Sequence, residues 1–387
     1  MGSLSWAMRM HLVDITMFYA AEGGGVSTYL NAKARWLAQR SRVRHTILSP
    51  NVDSSGAAPR LLHVPGIALP GFHGYRLPLS VGAPARMMRR LAPDLIEAGD
   101  AGHGALAALR VKRRLGVPAV AFYHSDMPQL VRDRLGAVAA SAVRNYLSYL
   151  YRQFDLVLAP SELMVRQLAA MGVDSALHQP LGIDSTIFHP RRGEPDLRRR
   201  LQLPAETRLL VYAGRFTPEK KLALLIEAVR RLGRPYHLLL IGGGAPLPMA
   251  PHVSHLPFCR DQRQLARLLA SCDVLVHPGD CETFGLIVLE AMACGLPVVG
   301  TSAGGVAELV DASTGVLVEP NSVAALCQGI DTVFGADRAS MAGAAFYKAR
   351  ALYDWNAILP QLMRRYGSLL AARGRADLDV ERLCVAD

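Results

Sequence analysis

Short apolar runs alternate with helix-length stretches along this chain, and that alternation restricts the fold to parallel sheets joined by crossover helices. His11 to Thr16 reads as the first strand, followed by a loop from Ala20 to Gly25 and a helix from about Ser27 to Gln39. Leu95 to Ala98, Ala119 to Tyr123 and Leu156 to Ala159 read as further strands. Pro128 to Phe154 reads as one long helix carrying Arg132, Arg134, Arg144 and Arg152 on an apolar body. Near Pro180 to Pro190 the periodicity lapses into LGIDSTIFHP, and a charged segment from Arg191 to Arg200 follows, which marks a domain linker. A second series of strands then runs through Leu209 to Ala213, Leu238 to Ile241, Val253 to Leu256, Val274 to His277, Val298 to Gly300 and Gly315 to Val318. The expected fold is α/β, with two Rossmann-like doubly wound domains over residues 1–183 and 184–349. A closing helical segment spans about 350–387. A chain of 387 residues is long enough for each domain to bury its own core.

Composition removes several classes of function. No apolar run approaches the ~20 residues of a membrane span. The start, MGSLSWAMRMHLVDI, is too short and wrongly charged for a secretory signal. All six cysteines (259, 272, 281, 294, 327 and 384) lie in the second half without a CxxC pair, so neither a disulfide framework nor metal-ligand spacing is present. These features predict a cytoplasmic protein. Net charge is +11, and it is unevenly spread: residues 1–183 hold 20 basic and 11 acidic side chains, whereas residues 184–387 hold 23 and 21. Such asymmetry points to an anionic surface. Aromatic residues do not interleave with the basic clusters and no helix-turn-helix or RNA-binding motif appears, so acidic lipid headgroups are favoured and nucleic acid is not expected as a partner.

The densest chemistry lies in DCETFGLIVLEAMACGLPVVGTSAGG, from Asp280 to Gly305. Glu282 sits in a Gly- and Pro-bounded loop, and Leu286 to Ala293 reads as a helix closed by Gly295 and Pro297. Phe284, Gly285 and Leu286 therefore fall at a helix start, where unpaired N–H groups and the helix dipole favour an anion. This arrangement fits a sugar nucleotide, with phosphates on the amides, sugar hydroxyls on Glu282 and ribose hydroxyls on Glu290. Gly304 and Gly305 form another turn into a helix, read as packing beside the nucleotide. Cys281 is read as a small loop residue, because no histidine adjoins it.

Lysine is scarce, five residues against 38 arginines, yet Lys220 and Lys221 are adjacent and follow Arg215. The segment leaves a strand through Gly214, which aims it out of the carboxyl edge of a sheet, where doubly wound folds bind ligands. Arg215 and Lys220 are placed to neutralise a departing diphosphate. Gly23, Gly24 and Gly25 follow the first strand and precede a helix, and their amides can approach a ligand closely. The pattern is not GxGxxG, and no carboxylate follows at the spacing that reads a ribose. Ile241 to Gly244, IGGG, is read first as a turn and second as a nucleotide wall containing Gly243. Ser161 is a helix N-cap before Glu162. The Asp377-Leu378-Asp379 triplet lies in a polar tail and is rejected as a metal motif, and neither a metal nor another cofactor is expected.

The run E-x-F-G-L-x-x-L-E-A-M-A-x-G-x-P-V-V resembles the signature of the retaining glycosyltransferases of family 4, whose fold is GT-B, two Rossmann-like domains with a cleft between them. GGGVSTYL, FYHSDMP, APSE, PLGID, AGRFTPEKK and IGGG match in the expected order, so the resemblance covers almost the whole chain. It implies catalytic roles for Glu282, Arg215 and Lys220, and places His124 near the sugar's 6-hydroxyl, a donor-sugar or transition-state contact more than a general base. The family usually has Gly after that lysine, where this chain has Lys221. The last helix of the family crosses back onto the first domain, with Trp355 marking the crossing. The resemblance further implies front-face transfer of a hexose with retention.

His124-Ser125-Asp126 before Pro128 resembles the glycosyltransferases that modify membrane lipids. A membrane lipid or lipid-linked glycan is therefore the first choice of acceptor and a soluble glycan the alternative, with a peripheral place on the inner face of the cell membrane in the first case. UDP-glucose, UDP-galactose and GDP-mannose all remain open as donor. Readings of another kind are an NAD-dependent oxidoreductase, a non-catalytic nucleotide-binding module and a PLP-dependent phosphorylase of related architecture.

Overall fold

A computed structural model describes residues 10–20, 23–68, 75–248 and 250–375. The Asp377–Asp379 triplet, Cys384, the end of the closing segment and part of the Ala20 to Gly25 loop lie outside the described residues. The chain divides into two compact units. One runs to Pro180 and takes up the chain again at Trp355, and the other is Leu181–Asp354.

In the first unit the strands are β1 (His11–Ile15), β2 (Arg44–Ser49), β3 (Arg60–His63), β4 (Gly66–Ala68), β5 (Arg76–Pro78), β6 (Leu95–Ala98), β7 (Ala119–Phe122), β8 (Leu156–Ala159) and β9 (Ala176–His178). β4 and β5 make an antiparallel hairpin. The others form a parallel sheet in the order β3-β2-β1-β6-β7-β8-β9. The second unit holds β10 (Arg208–Phe216), β11 (Tyr236–Gly244), β12 (Val253–Leu256), β13 (Val274–His277), β14 (Val298–Thr301) and β15 (Gly315–Val318). They are parallel, in the order β12-β11-β10-β13-β14-β15. Helices cover both faces of such sheets, so most strand positions are apolar. In the second unit Leu210, Leu238, Leu240, Val274, Val276 and Val299 pack with the Leu222–Leu232 and Val323–Gly335 helices. Strand order reverses between β1 and β6 and again between β10 and β13. Ligands of doubly wound sheets bind outside the carboxyl ends of the strands at such points.

Three expectations need correction. The Ile241 to Gly244 segment is not a turn, since β11 continues through Gly244 in register with β10, with Arg215 opposite Gly243. A Cβ on Gly242 would stand 1.9 Å from the Gly214 carbonyl oxygen, so glycine here lets two strands run closer than side chains permit. The closing segment is two helices, Arg338–Tyr353 and Trp355–Ala371, separated at Asp354, whose carboxylate accepts from the Ser185 amide at 3.3 Å. Finally, the long helix is Met127–Tyr151 and breaks at Gly136, at φ 84° and ψ −179°. That conformation is essentially restricted to glycine. A Cβ would meet no neighbour there, so the strain of a substitution is in the backbone alone. Gly136→Ala is expected to cost ~1–3 kcal/mol in urea denaturation; an unchanged midpoint would show that the break relaxes.

Candidate functional site

The loop after β13 brings Glu282 back to the strand end. His277 Nε2 lies 3.2 Å from Glu282 Oε1, and Lys220 Nζ donates to the same oxygen. Burial alone would push this carboxyl up, but the charge of Lys220 and the hydrogen bond from His277 hold it well below the usual carboxylate range. Glu282 is thus an ionised, fixed carboxylate. The Gly304-Gly305 turn shapes its backbone: the Gly305 amide donates to the Glu282 carbonyl at 2.6 Å, and a Cβ on Gly304 would stand 2.8 Å from that oxygen. His277 was read from sequence only as the end of a strand. The available signal was a histidine closing an otherwise apolar strand directly before the acidic loop.

Lys220 ends a short 3-10 turn, Pro218–Lys220, that follows β10. Gly279 packs against it, its Cβ position lying 3.1 Å from the Glu219 carbonyl oxygen. Arg215 is exposed at the end of β10. The Tyr212 hydroxyl donates to the Arg215 carbonyl at 3.1 Å, and the charges of Glu282 and Arg215 both act on that phenol. Lys220 and Glu282 therefore meet at the carboxyl edge where β10 and β13 part, with Arg215 at the end of β10 and Gly243 opposite it on β11. Lys221 diverges from Lys220: its charge helps to hold the Asp280 carboxyl low. Its backbone is left-handed at φ 54°, which explains the glycine usual at this position. Lys221→Gly is expected to raise stability by up to ~1 kcal/mol. A lower melting temperature would mean that the charge beside Asp280 outweighs the strain.

Gly285 adopts φ 98° and ψ 56° and starts the Leu286–Ala293 helix with no side-chain cap. The first amides of that helix have no intrahelical acceptor, so an anion can take them. Phe284 contributes backbone only, because its ring is buried at 6.1 Å from Tyr353. Glu290 is 8% exposed, and burial pushes its carboxyl up to about 8. In the protonated form it can donate as well as accept. The native state holds this proton between the unfolded pKa of about 4.5 and about 8, so stability from Glu290 falls as pH rises through that window. Glu290→Gln should remove a slope of up to ~1.4 kcal/mol per pH unit there. Equal pH slopes for the two proteins in urea denaturation would show that Glu290 is ionised throughout.

In the first unit, Gly24 is the N-cap of the Gly25–Arg40 helix, without a side-chain cap and with open space where a Cβ would stand. Gly23 is tight, its Cβ position being 2.0 Å from Ser27 Oγ. Among the described residues, Gly24 and Gly25 therefore open the helix without a side-chain cap. His124 follows β7, stacked on Phe122 at 4.2 Å and tilted against Tyr29 at 5.6 Å. Burial, then the charge of Lys33, lowers its imidazole to about 3. A neutral ring of such weak basicity can hydrogen-bond but accepts a proton poorly. Asp126 caps the following helix through the Gln129 amide at 3.1 Å, and Ser161 caps the next through Met164 at 3.3 Å.

Within this unit lies a buried cluster that was not singled out from sequence. Lys33 Nζ is 2.7 Å from Asp14 Oδ1 and 2.9 Å from Glu97 Oε1. The hydroxyls of Tyr29, at 3.0 Å, and Tyr366 donate to Glu97, and His45 Nε2 contacts Asp14. Carboxylates inside strands of a parallel sheet were the signal, since such positions are ordinarily apolar.

Two doubly wound parallel-sheet units in one chain are the architecture of the GT-B fold. Residues 23–186 match the family described as Glycosyltransferase Family 4, and residues 207–335 match Glycosyl transferases group 1. Sulfoquinovosyl transferase SQD2 of Arabidopsis thaliana is 30% identical over 73% of this chain, and the match spans 58% of that protein's length. A GDP-mannose-dependent alpha-(1-6)-phosphatidylinositol dimannoside mannosyltransferase of Mycobacterium tuberculosis is 27% identical over 93% of this chain and 97% of its own. Among solved structures, sucrose-phosphate synthase from Thermosynechococcus elongatus matches with a TM-score of 0.81 at 22% identity, covering 94% of this chain and 100% of that one. The chain belongs to glycosyltransferase family 4.

Proposed function

We propose that this protein transfers a hexose from a nucleoside diphosphate sugar, with retention, to a hydroxyl of a membrane lipid or lipid-linked glycan. The observation that carries the proposal is the ionised Glu282, fixed by Lys220 and His277 beside a bare helix start at the sheet's switch point. In this reading the bond between the anomeric carbon and the phosphate oxygen breaks while the acceptor oxygen attacks from the same face. The acceptor's proton passes to the leaving phosphate. Arg215 and Lys220 offset the charge that develops on the diphosphate, which lowers the barrier directly. The Gly285 and Leu286 amides hold phosphate, Glu282 the sugar hydroxyls and Glu290 the ribose. Gly24, Gly25, Lys221, Gly243 and His124 keep their expected roles toward the donor as part of the proposal, and no metal is required by it.

GDP-mannose is the first donor to try, because the mycobacterial relative carries that dependence in its name. The lipid acceptor is supported by the same name and by the basic excess of residues 1–183. A thermal-shift panel of GDP-mannose, UDP-glucose and UDP-galactose tests the donor: saturation at 100 times Kd stabilises the native state by ~2.7 kcal/mol. Transfer to extracted lipids, with the product's anomeric configuration read by NMR, tests the reaction. No response to any nucleotide sugar would reject the site assignment, and an inverted product would reject front-face transfer.

A further inference from the structure

Part of the Met127–Tyr151 helix carries apolar surface that the first unit's core does not use. Leu147, Leu150 and Tyr151 are buried, whereas Val138 is 87% exposed, Leu135 72% and Tyr149 71%. Val138, Ala142, Asn145 and Tyr149 follow one another at intervals of three or four, so they share the solvent face. At the Gly136 break every residue from Arg132 to Val138 is exposed. Arg132, Arg134 and Arg144 are exposed and make no ion pair or side-chain hydrogen bond among the described residues. No described helix is long and apolar enough to cross a membrane.

We infer that this tip docks the protein on an anionic lipid surface, Leu135 and Val138 entering the interface while Arg132, Arg134 and Arg144 meet the headgroup phosphates. The inference rests on the lipid-acceptor reading above and names the surface that would serve it. Exposed Leu and Val alone would equally fit a protein partner. Three guanidiniums against the single exposed carboxylate of Asp133 on this helix, in the half of the chain that holds 20 basic against 11 acidic residues, select an acidic bilayer. Each basic residue near such a surface strengthens binding about fivefold, and apolar side chains entering the interface add to it in proportion to the area buried. Lone helix arginines would bind headgroups without depth, and lone apolar residues would not discriminate by charge. The combination does both.

The test is co-sedimentation with vesicles of phosphatidylcholine, alone or mixed with phosphatidylglycerol, across a salt series. The wild type should bind the anionic vesicles and release as salt rises. Arg132→Ala/Arg134→Ala/Arg144→Ala should weaken binding by about 100-fold and flatten the salt dependence. Leu135→Ser/Val138→Ser should weaken it about tenfold or more with the salt dependence kept. Absence of vesicle binding, equal binding to neutral vesicles, or indifference to both variants overturns the inference, as does binding to heparin in place of vesicles. The thermal shift with GDP-mannose, run on the same variants, separates the two claims. A donor response without vesicle binding sinks only the docking surface, and vesicle binding without any nucleotide-sugar response sinks only the transferase reading.

Discussion

Glu282→Gln and Lys220→Ala are each expected to lower transfer by ~10²–10³-fold, the range seen when one preorganised charge or donor is taken from a transition state. Both side chains are largely enclosed, Lys220 at 15% and Glu282 at 19% exposure, so each change also costs stability by leaving its partner unpaired, and the melting temperature is read beside activity to show that the fold is kept. The loss should appear in kcat for Lys220→Ala, since charge on the leaving diphosphate develops only as the bond breaks. A rise confined to KM would instead make Lys220 a ground-state ligand. The pH profile supplies a second readout. Lys220 is a main reason that the Glu282 carboxyl stays low, so its removal should move the acid limb of activity to higher pH. His277→Leu should move that limb in the same direction, because the imidazole is the other group holding the carboxylate. Full activity in both Glu282→Gln and Lys220→Ala would remove the assignment of this site.

The second unit was largely legible in the sequence, and the reason is local. Glu282, Gly285 and the Leu286–Ala293 helix lie within a dozen residues, where turn chemistry and helix periodicity set the geometry. Short parallel strands such as β8, β12, β13 and β15 were equally readable, as apolar runs of strand length between helices. What escaped depends on partners far apart in the chain. The glycines at 242–244 look like a turn until β10 is known to run beside them. The helix break at Gly136 lies inside an apolar pattern that periodicity alone continues. Lys33 lies within the helix expected from about Ser27 to Gln39, and only pairing β1 with β6 brings Asp14 and Glu97 to it. Tyr366, 269 positions after Glu97, could not be placed on it from sequence at all.

That cluster carries the largest stability effect expected for a single substitution. Lys33 is 0% exposed and is held by Asp14 and Glu97, themselves buried. Burial pushes both carboxyls up; Lys33 and His45 bring Asp14 down to about 2, while Glu97 stays raised at about 6. Lys33→Met fits the space but leaves two carboxyls without their cation. Breaking a buried pair from one side costs ~3–5 kcal/mol, a large share of the ~5–15 kcal/mol that holds a domain together. Urea denaturation near neutral pH measures it. Adding Asp14→Asn and Glu97→Gln to Lys33→Met should recover part of the loss, because the excess charge is then gone. Tyr366→Phe should cost less, about 1–2 kcal/mol, since one donor to Glu97 is removed and Tyr29 remains. His124 reports on the same charge. Lys33 helps to depress its imidazole, so NMR titration of Lys33→Met should show that pKa rising. A loss below ~1 kcal/mol in Lys33→Met would place the cluster among solvated pairs, and its burial would then need another cause.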